Sequence, residues 1–538
     1  MTEPSLLPRR AGILVPLFSI PSRASWGIGE IGDLPHMARW CRAAGCTMLQ
    51  LLPVNEMPVT ESSPYSSLSA MAIDPQFISL SQVPDFELIG GEAALDPELQ
   101  RRLIAVRQAP RVDYATVRAL KEVVLRRCFV RFQEHESRGA TERARAFHAY
   151  VAAEGWWLDD YALFRALHAF HAEREWTDWP ETIRTREPEA LEAARRTLAD
   201  DIAYRKYLQW IAGTQWSHAR RECGDVLLFG DMPFMVSGDS ADVWARQDEF
   251  RLDVSVGVPP DAFSDTGQDW RLPLYRWDVI ATRDFEWLRQ RARRYASLYD
   301  GYRVDHLVGF YRTYFRPLDG SPAAFSPTEQ MDQERLGEQV LGVFRQSGAE
   351  IIAEDLGVIP DFVRASLARV GMPGYKVLRW ERQWRVEGQP FIDPTEYPKI
   401  SAATSGTHDT EPTVIWWEGA SSEEREAVLA IPSIHGRLTG LELRAAIEAP
   451  SLEPAVQRAI LEALFASGSN YLILPLPDAF GWRDRINQPA TIGPANWTWR
   501  LRWPSERLSV EPEALAVAGL LGTWSARHGR ALPRGELR

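Results

Sequence analysis

Glu350-Ile-Ile-Ala-Glu354-Asp355-Leu-Gly357 is a short apolar run that ends in acid and then glycine, with a longer helical pattern after it. An apolar run of this length bounded by turn residues reads as a buried strand, and strand followed by helix is the repeat of a parallel α/β fold. Working outward, the same unit recurs. The runs are Gly12–Ser19, Thr47–Pro53, Asp225–Met232, Tyr302–Asp305, Glu350–Glu354, Lys376–Trp380, Ile400–Thr407 and Asn470–Pro475. That is the strand number of a (β/α)8 (TIM) barrel.

The first connection supports the alternation. Asp33 is placed to cap a helix whose apolar positions Leu34, Met37, Ala38 and Cys41 fall at helical spacing, with Gly45 as its stop. Between the second and third runs lie roughly 170 residues, far more than a barrel crossover needs. This predicts a large, mostly helical insertion, with helices over 117–132 and 159–170. The expected organisation is one catalytic barrel spanning 1–538, a helical insertion at 75–205 above its mouth, smaller loop insertions, and a closing segment at 479–538 that ends in a helix over 511–528.

Composition narrows the function. The 538 residues are 45% apolar and carry a net charge of −12, which disfavours disorder and argues against nucleic acid or an anionic membrane as partner. No stretch approaches the apolar length of a membrane span. Arg9 and Arg10 before the run from Ala11 to Ile20 superficially resemble a signal peptide, but Pro16 interrupts the run, and a buried strand is expected instead. Four cysteines without a C-x-x-C pair fit a reducing, cytoplasmic setting. The 21 Trp, 15 Tyr and 21 Phe suit either a large core or stacking on sugars.

Barrel chemistry sits at the C-terminal ends of the strands, and here those ends are acidic. Asp231, Asp305, Glu354 with Asp355, Asp409 and Asp478 each follow or close an apolar run. Carboxylates converging on one mouth repel each other, a cost that folds keep where function needs it. Metal-assisted hydrolysis would add histidine ligands, and His306 and His408 do flank acids; yet neither H-x-H nor H-E-x-x-H occurs. Glycoside chemistry needs one carboxylate as nucleophile and another as acid/base, with aromatic platforms around them, and suits these residues better.

The motifs then carry a resemblance. Arg303-Val-Asp305-His306, Ala353-Glu354-Asp355-Leu356-Gly357 and Gly406-Thr-His408-Asp409 resemble the strand ends of the 4-α-glucanotransferases, the amylomaltases of glycoside hydrolase family 77. Ser62-Ser-Pro-Tyr65-Ser-Ser-Leu-Ser-Ala70, the stretch from Gly257 to Trp270 with Asp261 and Gln268, Arg485-Ile-Asn487 and Asn496-Trp-Thr-Trp-Arg500 continue it in order. The resemblance implies that Asp305 is the nucleophile, Glu354 the acid/base and Asp409 the carboxylate that stabilises the transition state. It further implies that Tyr65, Asp261, Trp270, Arg303, His306, His408 and Asn487 bind sugar or orient the acids.

On the residues alone, Arg303 lies two positions before Asp305 and so shares its side of a strand. Asp355 points the other way, and Asp231 is read as structural. The implied reaction is retaining transfer between α-1,4-glucans and maltooligosaccharides, with no metal or organic cofactor and with activity expected to survive chelation. The alternatives are an α-glucan hydrolase using the same site and a non-catalytic glucan-binding barrel. Oligomeric state is left open. The chain departs from the family pattern at Thr410-Glu411-Pro412, at Pro477, at Ser25-Trp26, and at Arg271, where a glycine is frequent.

Overall fold

The computed structural model describes residues 8–137, 139, 141–260, 267–489, 491 and 493–531. Eight parallel strands close into a barrel. In chain order they are β1 (Arg10–Leu14), β2 (Met48–Gln50), β3 (Leu227–Met232), β6 (Gly301–Val304), β9 (Glu350–Ala353), β10 (Gly374–Val377), β11 (Ser401–Thr404) and β12 (Tyr471–Pro475). Each lies within or beside one of the eight apolar runs, and β1 closes the ring by pairing with β12 from Arg10↔Tyr471 to Leu14↔Pro475. Strands buried on both faces must read as continuous apolar runs, which is why they were legible.

The helix Leu34–Ala43 buries Leu34, Met37, Ala38 and Cys41, the stripe expected of it. Its capping differs from expectation. The Asp33 carboxylate makes no cap bond to this helix; it accepts from Ser25 Oγ at 2.6 Å and from the Glu30 backbone N–H at 2.7 Å, closing the turn just before. A nearer donor pair simply outcompetes the helix N–H groups.

Between β2 and β3 run the helices Pro97–Gln108, Tyr114–Phe132, Glu142–Phe170 and Ala199–Cys223, among shorter ones. Lys121, on the second of these, is only 1% exposed. Its ammonium meets Glu30 at 2.6 Å and donates to the carbonyls of Gln76 and Ile78, so one buried cation ties this segment to the turn before the first barrel helix. A buried charge survives only with such partners.

A second sheet went unforeseen. The strands β4 (Phe250–Val258), β5 (Gln268–Tyr275), β7 (Thr313–Pro317) and β8 (Ala324–Ser326) form an antiparallel layer in the order β5-β4-β7-β8. The stretch Gly257–Trp270 therefore begins in β4 and ends in β5, two paired antiparallel strands. At its root an added Cβ on Gly257 would come within 2.0 Å of the Gln268 carbonyl oxygen, so the two strands approach too closely there for any side chain. The pairing was hidden because β4 and β7 come from separate insertions, and local pattern carries no trace of such a contact.

Candidate active site

Asp305 and Glu354 each stand one residue beyond a barrel strand, and Asp409 lies in the turn after β11. Parallel pairing of β3, β6 and β9 brings Asp231, Arg303 and Ile352 into neighbouring positions. The Arg303 guanidinium, 6% exposed, is the centre of the site. Its Nη1 donates to both oxygens of the fully buried Asp231 at 2.8 Å. Its Nη2 lies 2.7 Å from Asp305 Oδ1 and 4.0 Å from Glu354 Oε2.

Glu354 is held by two backbone donors, the N–H of His306 at 2.8 Å and that of Leu356 at 2.9 Å. Burial dominates its proton affinity and, with Asp305 nearby, lifts its pKa to about 7 against the pull of Arg303. Asp409 is set the other way. Burial opposes ionisation, but His408 at 3.3 Å and the Asn487 amide donating at 2.6 Å hold its pKa down to about 2. One carboxyl of the site thus titrates near neutral pH and another far below it.

Tyr65 links the halves. Its hydroxyl donates to Asp231 Oδ2 at 2.8 Å and lies 3.1 Å from His408 Nε2. With the phenol proton committed to Asp231, the histidine nitrogen is the donor in that second bond. Tyr65 also stacks on His408, with centroids 5.3 Å apart at 20°, so one face of the expected sugar platform is already occupied. His306 adopts a left-handed backbone at φ 41°, which turns its N–H toward Glu354. Burial drops its ring pKa to about 4, leaving it neutral beside the edge of Trp270 at 4.9 Å. What His306 gives the acid is its backbone rather than its imidazole.

Trp270 is half-buried on β5, its indole N–H on Gln268 at 3.1 Å. Asp261 lies outside the described residues. Asp355 accepts from the Tyr375 N–H at 2.7 Å and adds only a minor repulsion that helps raise Glu354, and Asp478 accepts from Ser405 Oγ and the Thr413 N–H. Three contributors were not singled out from sequence. Asp231, read as structural, anchors Arg303. Trp497 packs against both Tyr65 and His408 at 5.8 Å. Arg485 donates to the carbonyls of Asp409 and Asn487, tying the Arg485-Ile-Asn487 motif to the third acid. The position of Arg485 two residues before Asn487 was the available signal.

The departures from the family pattern also acquire structure. Thr410 Oγ1 accepts from the Thr407 N–H and returns a bond to its carbonyl, while Glu411 pairs with Arg379 at 2.8 Å. Arg271 has φ 54°, the left-handed region that a glycine would occupy without strain.

A closed parallel barrel with carboxyls of divergent pKa gathered at the ends of its strands, framed by Tyr and Trp, defines a class: a (β/α)8 enzyme acting on glycosidic bonds. The comparisons narrow it. The model of the 4-alpha-glucanotransferase family, glycoside hydrolase family 77, matches residues 15–506. A 4-alpha-glucanotransferase of Thermus thermophilus is 34% identical over 508 residues, covering 92% of this chain and 95% of that one. One from Chlamydia pneumoniae is 32% identical over 509 residues, at 93% and 92%. The amylomaltase of Streptococcus agalactiae, solved in complex with acarbose, superposes with a TM-score of 0.80 at 26% identity over 97% of this chain and all of that one. The chain belongs to the 4-alpha-glucanotransferase family, and its reaction is the transfer of α-1,4-glucan segments from a donor to an acceptor glucan.

Proposed function

We propose that Asp305 is the nucleophile, Glu354 the general acid/base and Asp409 the carboxylate that steadies the transition state, in a double displacement on maltooligosaccharides. Arg303 pairs with Asp305 and holds it turned toward the sugar, because its other nitrogen is fixed on Asp231. An Asp305 oxygen attacks the anomeric carbon while the bond to the departing 4-oxygen breaks and takes the Glu354 proton. The ester then forms the intermediate. Glu354, now a carboxylate, removes the proton from an incoming 4-OH, whose oxygen displaces Asp305 and restores both groups. Two inversions give retention. One guanidinium nitrogen shared by both acids keeps them close, as a displacement at about 5–5.5 Å requires.

In this reading Tyr65, His408 and Asn487 orient Asp231 and Asp409, Trp270 meets the sugar from β5, and Asp261 is a further sugar-binding residue. The chain acts as one catalytic barrel, with 75–205 as a lobe over the mouth and 479–538 as the closing segment. The setting is the cytoplasm, which suits four buried free thiols. No helix among the described residues is long and apolar enough to cross a membrane.

The single observation behind the reading is the Arg303 bridge with Glu354 lifted to about 7 beside it. Incubation with maltotriose tests it. Longer oligosaccharides together with glucose are expected; short products without elongation would replace transfer by hydrolysis, and bound but unchanged maltotriose would sink the catalytic assignment.

A further inference from the structure

Each carboxylate oxygen of Asp409 has a partner: the Asn487 amide donates to Oδ1 at 2.6 Å, and His408 Nε2 lies 3.3 Å from Oδ2. Such a pair fixes the orientation of the acid only while Asn487 itself stays in place. Asn487 lies outside the barrel strands, in the segment after the helix Leu476–Phe480, so strand pairing does not hold it. Its backbone N–H donates to the His408 carbonyl at 3.1 Å. One bond of this kind sets a distance and leaves the orientation of the loop open.

Arg485 supplies the missing constraint. Its Nε donates to the Asn487 carbonyl at 2.7 Å and its Nη2 to the Asp409 carbonyl at 2.8 Å. Those carbonyls belong to the two partners of the amide–carboxylate bond, and a guanidinium is a planar, rigid fork, so one group sets both ends of that bond. Its remaining nitrogen, Nη1, lies 3.9 Å from Glu411 Oε2. Glu411 in turn pairs with Arg379, which donates to the carbonyls of Ser405 and Glu411 at 3.3 and 3.1 Å. Two guanidinia from outside the turn that carries His408 and Asp409 thus grip it at three carbonyls.

We propose that Arg485 is a positioning residue for glucan transfer, acting through Asn487 to hold the Asp409 carboxylate in the orientation that the transition state needs. The inference rests on the role given to Asp409 above. Because the bond from Arg485 to Asp409 goes to the backbone, removing it leaves the carboxylate and its two partners in the chain but lets their alignment drift. A displacement of about 1 Å in a group of this kind costs about 10²-fold in rate.

A double-mutant cycle on the full chain tests this, with kcat and KM read from glucose release on maltotriose. Arg485→Ala and Asn487→Ala should each lower kcat about 10- to 100-fold, and Arg485→Ala should change KM by about 2-fold at most. In Arg485→Ala/Asn487→Ala the two losses should not multiply: the double variant should turn over at about the rate of Asn487→Ala, since Arg485 has nothing to position once the amide is gone. Losses that multiply overturn the proposal, and so does parent-level kcat in Arg485→Ala. Where a thermal melt shows Arg485→Ala unfolded, the cycle is run with Arg485→Lys, whose ammonium cannot span both carbonyls, and the same outcomes decide it. Parent-level turnover in Asp409→Asn is a separate failure, which would sink the role of Asp409 itself whatever the cycle shows.

Discussion

Arg303 holds two carboxylates at 2.7–2.8 Å and stands 4.0 Å from a third, so the acids of the site are arranged around one side chain. For Asp305 this predicts that Asp305→Asn removes turnover of maltotriose while binding persists, since the amide keeps the shape but cannot attack; turnover above trace level in purified protein would refute the assignment. For Glu354 the prediction concerns pH. The acid must carry its proton in the free enzyme, and with its pKa near 7 the protonated fraction falls as pH rises beyond that value. Hence kcat/KM on maltotriose should decline about tenfold per pH unit on the alkaline side. Glu354→Gln should cost about 10²–10⁴ on maltotriose, yet far less on an α-maltosyl fluoride donor, with the alkaline limb gone. Equal loss on both donors would show that Glu354 is not the acid. The roles of these acids could be read from the order of motifs. The bond from Tyr65 to Asp231 could not, because the two lie far apart in sequence and meet only when the barrel closes.

At the scale of elements, the barrel strands were legible because a strand buried on both faces leaves an uninterrupted apolar signature. The hairpin β4–β5 leaves none. Arg251, Leu252 and Asp253 face outward to varying degrees, and the residues that stabilise it belong to β7, beyond β6 in the chain. Arg271 marks its cost. At φ 54° a side chain is strained by about 1–2 kcal/mol, so Arg271→Gly should exceed Arg271→Ala in stability by about 1 kcal/mol, the reverse of the usual order. Thermal melts of the two variants decide it, and an alanine form at least as stable as the glycine form would remove the strain argument. Asp33 teaches a related lesson: helical periodicity located the helix, but which donor a carboxylate chooses depends on what else reaches it.

Across the whole molecule, buried ion pairs fasten the inserted segments to the barrel. Lys121 and Glu30, each at most 2% exposed, form the clearest such tie. Removing one partner leaves the other charged and buried, so Lys121→Met should cost about 3–5 kcal/mol, seen as a lower Tm. Adding Glu30→Gln should recover part of the loss, and an unchanged Tm in the single variant would show the contact to be dispensable. The excess of Trp, Tyr and Phe resolves at this scale too. Trp26, Trp216, Trp244, Trp287 and Trp417 are fully buried in the core, while Trp270 remains half-exposed beside His306.

The sequence by itself determined the eight strands, the helical insertion, the acids at the strand ends and the family, because apolar runs and local motifs are properties of neighbours in the chain. Only the tertiary structure decided that Asp231 anchors Arg303, that Tyr65 bridges to His408, and that Glu354 is lifted to about 7 while Asp409 falls to about 2. Proton affinity depends on burial and on charges brought together from distant positions, and those quantities do not exist until the chain has folded.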